Sequence, residues 1–241
     1  MPRPAAIHRT AIVAPEVEIG EGTVIGPYAV VVAPCRIGDD CWIGPHAVVG
    51  TTAEHVGEMV VQTVASEGPA PTDEEMWFGR HGRGVQIGSR TILRERCTVH
   101  SGTAGPTVIG DDVFMMNTSH VAHDGVLGDR VRMASYSTLG GHVTIGDDAN
   151  IGLAAAVHQW RVVGAGAMVG MQAAVVKDVA PYQLVKGVPA APGGVNAVWL
   201  ERAGYSAADI AGLTRFYEGE ADALPAAFAD ALALWEASRR A

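Results

Sequence analysis

The sequence is short of the features that mark several large classes of protein. Lysine and arginine number 17 against 26 aspartates and glutamates, a formal charge of −9. No basic face is available to neutralise phosphates, which argues against a nucleic-acid partner. The three cysteines fall in no CxxC or Cys/His pair, and an odd count without such pairing builds neither a disulfide framework nor a recognisable zinc site. No uncharged apolar run reaches membrane-spanning length, and the opening MPRPAAIHRT lacks the apolar centre of a signal peptide. The expectation is a cytoplasmic protein without integral membrane association.

What the chain does have is a six-residue period. Aliphatic residues stand at Ile7, Val13, Ile19, Ile25, Val31, Ile37, Ile43 and Val49; the phase breaks over 51–85 and resumes at Ile87, Leu93 and Val99. It slips by four residues at Thr103–Pro106 and then runs unbroken from Ile109 to Val175. Glycine follows the aliphatic residue in 13 of the 23 hexads, which suits a chain that turns a corner once per repeat. A helix has no use for such a period, rich in glycine and β-branched residues. Four places after the aliphatic residue the side chains are small, among them Thr23, Ala29, Ala47, Ser119, Ser137, Ala149 and all three cysteines. These read as inward-facing core positions, with Cys35, Cys41 and Cys97 as packing residues.

The pattern over roughly 7–180 resembles the hexapeptide-repeat superfamily of left-handed parallel β-helices, in which three hexads make one coil of a triangular prism and the protein is a homotrimer. The fold expected is therefore an all-β body with a small α-helical appendage: a left-handed β-helix over 1–186 carrying an inserted loop at 51–85, and a helical domain over 187–241. The insert holds Met76, Trp77 and Phe78, read as a lid or intersubunit contact. VKGVPAAPGGVN reads as an extended connector. One helix is expected over Ser206–Glu218, with Ser206 and Asp209 at capping spacing, and a second over Ala221–Arg239 with Phe228, Leu232 and Trp235 on one face.

With three hexads per coil, residues 18 apart stack about one strand spacing, ~4.8 Å, from each other. His123, Gly141 and Gln159 then form one column, Asp124, His142 and Trp160 the next, and His100 joins Ala122, Gly140 and His158 across the slip. His123 falls two residues after its aliphatic position, on the outer surface beside a corner, where a neighbouring subunit would make the far wall of a cleft. A neutral imidazole beside a carboxylate suits general-base work, and either Asp124 or His142 could orient His123. The same histidines leave metal catalysis open, since three imidazoles can ligate zinc. His120 and His123 flank Val121 at different phases, however, so their convergence with His100 is not expected.

NTSHVAHDGVLGDRV, LGGHVTIGD, AAVHQW and GVNAVWLERAGYS resemble, in that order, the motifs of the acyl-carrier-protein:UDP-N-acetylglucosamine O-acyltransferase family. The resemblance implies a general base at His123, oriented by Asp124, with the Gly141 N–H as oxyanion donor. It implies that His100, His120, His142, His158 and Gln159 line the substrate cleft and that Asn196 and Arg202 meet the nucleotide end. No bound cofactor is implied; the donor would be an acyl-acyl-carrier-protein, presented on phosphopantetheine, or an acyl-CoA, and the acceptor a sugar nucleotide. Met171 matches the position that measures the acyl chain, and its bulk implies a donor of roughly ten carbons or fewer, because a filled pocket refuses further methylenes.

The sequence also departs from that family. Its short acidic, lysine-containing acceptor loop is missing, and the 51–84 insert stands in its place. Val198 replaces a glutamate and Ala203 an arginine, so Arg202 is left alone of a basic pair that would clamp phosphate. Arg90, Arg94 and Arg96 are candidates for meeting an acidic carrier protein, with a solvated face as the plainer reading. Three alternatives stay beside the leading one: an acyltransferase with a different, non-UDP acceptor, a zinc-dependent carbonic anhydrase-like enzyme, and a non-catalytic trimeric scaffold.

Overall fold

In the body of the chain each hexad contributes a short strand, in most cases of two residues, that ends on the aliphatic position, as in Val24–Ile25, Trp42–Ile43 and His120–Val121. Side chains alternate across a strand, so the aliphatic residue turns inward and the one before it outward. The computed structural model describes residues 3–32, 34–54 and 82–240. Its strands form three sheets of ten, eight and seven members, every neighbouring pair parallel except the last. Together they make the three faces of a left-handed β-helix.

Partners lie 18 residues apart along an uninterrupted coil: Val24 faces Trp42, and His120 faces Thr138. Both interruptions keep phase. Ile37 pairs with Ile87 across the long insert, and Val99 pairs with Val121 across the four-residue slip, as expected. The reading of Met76, Trp77 and Phe78 falls outside the described residues.

The aliphatic positions from Ile25 to Val175 are buried, and Thr23, Ala29, Cys35, Cys41, Ala47, Cys97, Ser119, Ser137, Ala149 and Ala155 fill the small inward sites. The cysteines are unpaired and buried, and burial pushes the Cys35 thiol up to about 12, the behaviour of a core residue rather than a nucleophile. Ile7 is 50% exposed although it keeps the period, because the first coil has a neighbour on one side only.

The role expected of glycine is corrected. The residue in the left-handed region comes three places after the aliphatic one and is usually not glycine: Asp124 has φ +57°, His142 +58° and Trp160 +62°. Glycine at the first place serves close stacking instead, since a Cβ on Gly140 would lie 2.7 Å from the Gln159 backbone nitrogen.

Beyond the coils the connector is more ordered than expected. Gln183–Lys186 joins the ten-stranded sheet, and Ala191–Val195 folds back antiparallel onto it. The former lies inside the expected β-helix range, whereas the latter lies inside the range expected to be helical. Three helices follow: α1 (Ala197–Arg202), which the sequence reading missed, α2 (Ala207–Tyr217) and α3 (Ala229–Ser238). Ser206 caps α2 by accepting from the Asp209 N–H. The last helix begins well after the expected Ala221, with a 3-10 turn at Ala226–Phe228 behind Pro225, whose fixed φ and missing N–H suit a helix entrance.

Tyr182, Leu200, Leu213 and Phe228 form a second small core. Tyr217 donates to the Pro181 carbonyl and Arg239 to Asp178, tying the helices to the last coil. No helix among the described residues is long and apolar enough to cross a membrane.

Candidate active site

The corner after His120–Val121 carries the expected base. His123 is 8% exposed, and its Nδ1 lies 2.8 Å from Oδ2 of Asp124. With the proton on Nδ1 shared with that carboxylate, Nε2 is the basic nitrogen. Of the two orienting groups left open by the sequence, the geometry selects Asp124. His142 meets His123 edge-on, with ring centroids 5.1 Å apart, and its Nε2 stands 3.7 Å from Asp124, beyond hydrogen-bond distance.

Asp124 is held by the four-residue slip. Oδ1 accepts from the backbone N–H of Thr103, Ala104 and Gly105 at 2.9, 2.8 and 3.2 Å, and Oδ2 accepts from the Thr103 hydroxyl at 2.7 Å. Burial alone would raise its pKa, but the hydrogen bonds from His123, Thr103 and Ala104 outweigh that and hold the carboxyl well below the usual range. The corner fixes the backbone from below, where the Asp124 N–H donates to Thr107. Sequence reasoning missed Thr103, Ala104 and Gly105. The available signal was the register slip, an insertion at the corner one coil below the histidine.

Gly141 packs directly on the imidazole: a Cβ there would lie 2.7 Å from His123 Nε2. Its carbonyl accepts from Trp160, while its own N–H enters no backbone pairing among the described residues. His142 is sandwiched in its column by Trp160, with centroids 3.7 Å apart and planes within 6°.

The expected cluster of histidines divides into two. His120 and His100, whose convergence the sequence reading doubted, approach edge-on at 4.8 Å with Glu54 beside them. Burial lowers both, His120 to about 4 with the help of the His100 charge, while Glu54 partly offsets the effect on His100. Both rings are therefore neutral near pH 7. The other group is His123, Asp124 and His142. No set of three imidazoles converges among the described residues of one protomer. His158 and Gln159 lie on the same corner as His123, exposed, with His158 Nδ1 at 3.1 Å from the Gln159 carbonyl.

The remaining expected residues sit elsewhere in the protomer. Met171 is 70% exposed on a different corner, after the strand Met168–Val169. Asn196 and Arg202 line a cleft of about 840 Å³ between α1 and the ten-stranded face, together with Arg130, Arg132, Val198 and Trp199. Asn196 spends its amide on structure, donating to the Gly166 carbonyl and capping α1. Of the basic residues near the insert, Arg90 is bound to Asp111 and Asp112 and Arg94 to Glu95, so two of the three are neutralised locally.

Comparison with known proteins bears on this geometry. A UDP-N-acetylglucosamine acyltransferase from Campylobacter jejuni superposes with a TM-score of 0.73 at 27% identity, covering 89% of this chain and 82% of that one. The acyl-[acyl-carrier-protein]–UDP-N-acetylglucosamine O-acyltransferase of Ralstonia nicotianae is 47% identical over 219 residues, 88% of this chain and 80% of that protein. The chain belongs to this acyltransferase family. The relative of the same name from Thiobacillus denitrificans is 39% identical over 89% of the chain and 83% of its own length. Family models also match piecewise: "Udp N-acetylglucosamine O-acyltransferase; Domain 2" over 178–219 and "Hexapeptide repeat of succinyl-transferase" over 34–54.

Proposed function

We propose that His123 is the general base of an acyl transfer to a sugar hydroxyl. As a member of this family the protein is an acyl-carrier-protein-dependent O-acyltransferase with a UDP-linked sugar, UDP-N-acetylglucosamine, as acceptor. The observation that carries the assignment is the 2.8 Å bond from His123 Nδ1 to a carboxylate pinned by three successive N–H groups. That pin fixes the tautomer and stabilises the imidazolium.

In the reaction His123 Nε2 takes the acceptor hydroxyl proton as the oxygen attacks the thioester carbonyl. The tetrahedral oxyanion is met by the Gly141 N–H. Collapse breaks the C–S bond, and His123 returns the proton to the departing phosphopantetheine sulfur, leaving an ester and a free thiol. His142 would brace the far side of Asp124. His100, His120, His158 and Gln159 would line the donor and acceptor channel on this corner.

Within one protomer the base and the Asn196/Arg202 cleft occupy different corners of the prism. A cleft between two subunits would unite them, so the same reading includes a homotrimer, acting in the cytoplasm. Met171 would close the acyl pocket and favour donors of roughly ten carbons or fewer.

The test is product mass spectrometry with UDP-N-acetylglucosamine and acyl-carrier proteins of graded chain length. His123→Ala should lower turnover by about 10²- to 10⁴-fold with the fold intact, and Met171→Gly should move the optimum to longer chains. An unchanged rate in the first variant would remove the base; activity of the natural protein with long donors alone would remove the chain-length reading.

A further inference from the structure

The ten-stranded face carries one outward side chain per storey, stacked in a single row. From the middle of the sheet that row runs Ile92, Phe114, Arg132, Asn150, Met168 and Leu184. The members before it, from Ala6 to Trp42, are apolar as well. Arg132 and Asn150 therefore interrupt a row that is otherwise apolar from end to end. The ladder itself does not ask for them, because it is made by backbone groups and leaves outward side chains free to vary. Both line the cleft of about 840 Å³ that Arg202 lines from the end of α1.

The charges around this cleft do not balance. Arg130 is bound to Asp147 and Asp148, and Asp112 to Arg90, so those groups cancel locally. The guanidinium groups of Arg132 and Arg202 make no ion pair or hydrogen bond within the chain. Val198, on the same lining, presents no carboxylate to either. Two uncompensated cations on one cavity of small-molecule size, in a chain of formal charge −9, mark a place for an anion.

We propose that Arg132 is the second arm of a diphosphate clamp, closing with Arg202 on the nucleotide diphosphate of the acceptor, with the Asn150 amide as a neutral donor beside it. The inference rests on the sugar-nucleotide reading above and adds a specificity-determining residue to it. Ala203 leaves Arg202 without a second cation next to it on α1, and Arg132 supplies one from the sheet wall of the same cleft. Each guanidinium fork matches the spacing of phosphate oxygens, and two forks suit the two charges of a diphosphate. The ladder holds the Arg132 backbone between Phe114 and Asn150, while its long side chain gives the head group reach. A free sugar gains nothing from such a pair, so the clamp selects nucleotide-linked acceptors.

The experiment is calorimetric titration of the full-length protein with UDP, with uridine and with 4′-phosphopantetheine. Arg132→Gln and Arg202→Gln should each bind UDP about tenfold or more weakly, with uridine little affected. Arg132→Lys should recover part of the loss by keeping the charge. With UDP-N-acetylglucosamine as substrate the loss in Arg132→Gln should fall mainly on KM, since the diphosphate takes no part in bond making. Arg36→Gln, on the seven-stranded face and paired with Glu18, controls for net charge and should bind UDP as the natural protein does. Arg132 is exposed, and circular dichroism checks the fold of each variant. Full UDP affinity in Arg132→Gln, or an equal loss in Arg36→Gln, would overturn the clamp and leave the acceptor reading in place. A loss for 4′-phosphopantetheine in place of UDP would overturn it by giving Arg132 to the donor. A natural protein that neither binds UDP nor acylates UDP-N-acetylglucosamine would remove the acceptor reading and the clamp together.

Discussion

His120 and His123 are three residues apart, and the fold treats them in opposite ways. His123 gains a carboxylate at 2.8 Å, whereas His120 is buried against a second imidazole and its pKa falls to about 4. A histidine whose folded pKa lies below its unfolded value binds more protons when unfolded, so it withdraws stability as pH drops from about 6.5 towards 4. His120→Gln should therefore lose less stability than the natural protein across that window. Urea unfolding at several pH values measures this, and parallel profiles would refute it. Asp124 behaves with the other sign. Its depressed pKa adds stability that is present above the ordinary carboxylate value near 3.8 and is lost as pH falls further. The positions of both residues were readable from the six-residue register, because inward and outward alternation is written into every hexad. Their charge states were not, because those depend on His100 and on the backbone of residues 103–105, which no spacing rule brings to mind.

At the scale of elements the four-residue slip matters most. It breaks the repeat once and uses the freed backbone to hold Asp124. Thr103→Val should remove one hydrogen bond while the three N–H contacts remain. The expected effect is a kcat about tenfold lower, a few times RT at most, with KM little changed and the acid limb of the pH profile shifted upward; a change confined to KM would show that Thr103 meets substrate instead. The slip was plain in the sequence, but its purpose was hidden, since backbone donors leave no trace in residue identity.

The helical end divided the same way. The Ser206 cap was legible from side-chain chemistry, and Ser206→Ala should cost about 1 kcal/mol in urea unfolding. The antiparallel strand Ala191–Val195 was not, because its Pro-Gly-Gly composition disfavours strands and only the open edge of the sheet beside it induces one. Pro225 was available as a signal and should have moved the start of the last helix past it.

On the scale of the whole molecule, the site residues are spread over different parts of the prism, and the homotrimer proposed above would complete the site between subunits. If His123 and Arg202 of one site come from different subunits, co-refolding equal amounts of His123→Ala and Arg202→Ala should restore about a quarter of the natural activity, from the statistical share of sites with both groups intact. No recovery would mean that each subunit works alone. The stacking period has a further consequence for how this chain can change length. Ile37 faces Ile87 and Val99 faces Val121 although extra residues intervene, so material added at a corner leaves every later storey where it was. Removing one hexad from inside a coil would instead turn everything beyond it by a third of a revolution about the prism axis and carry His123 to another wall. Viable deletions are thus quantised in whole storeys of eighteen residues, and heritable variation in this architecture is channelled into loop length and storey number.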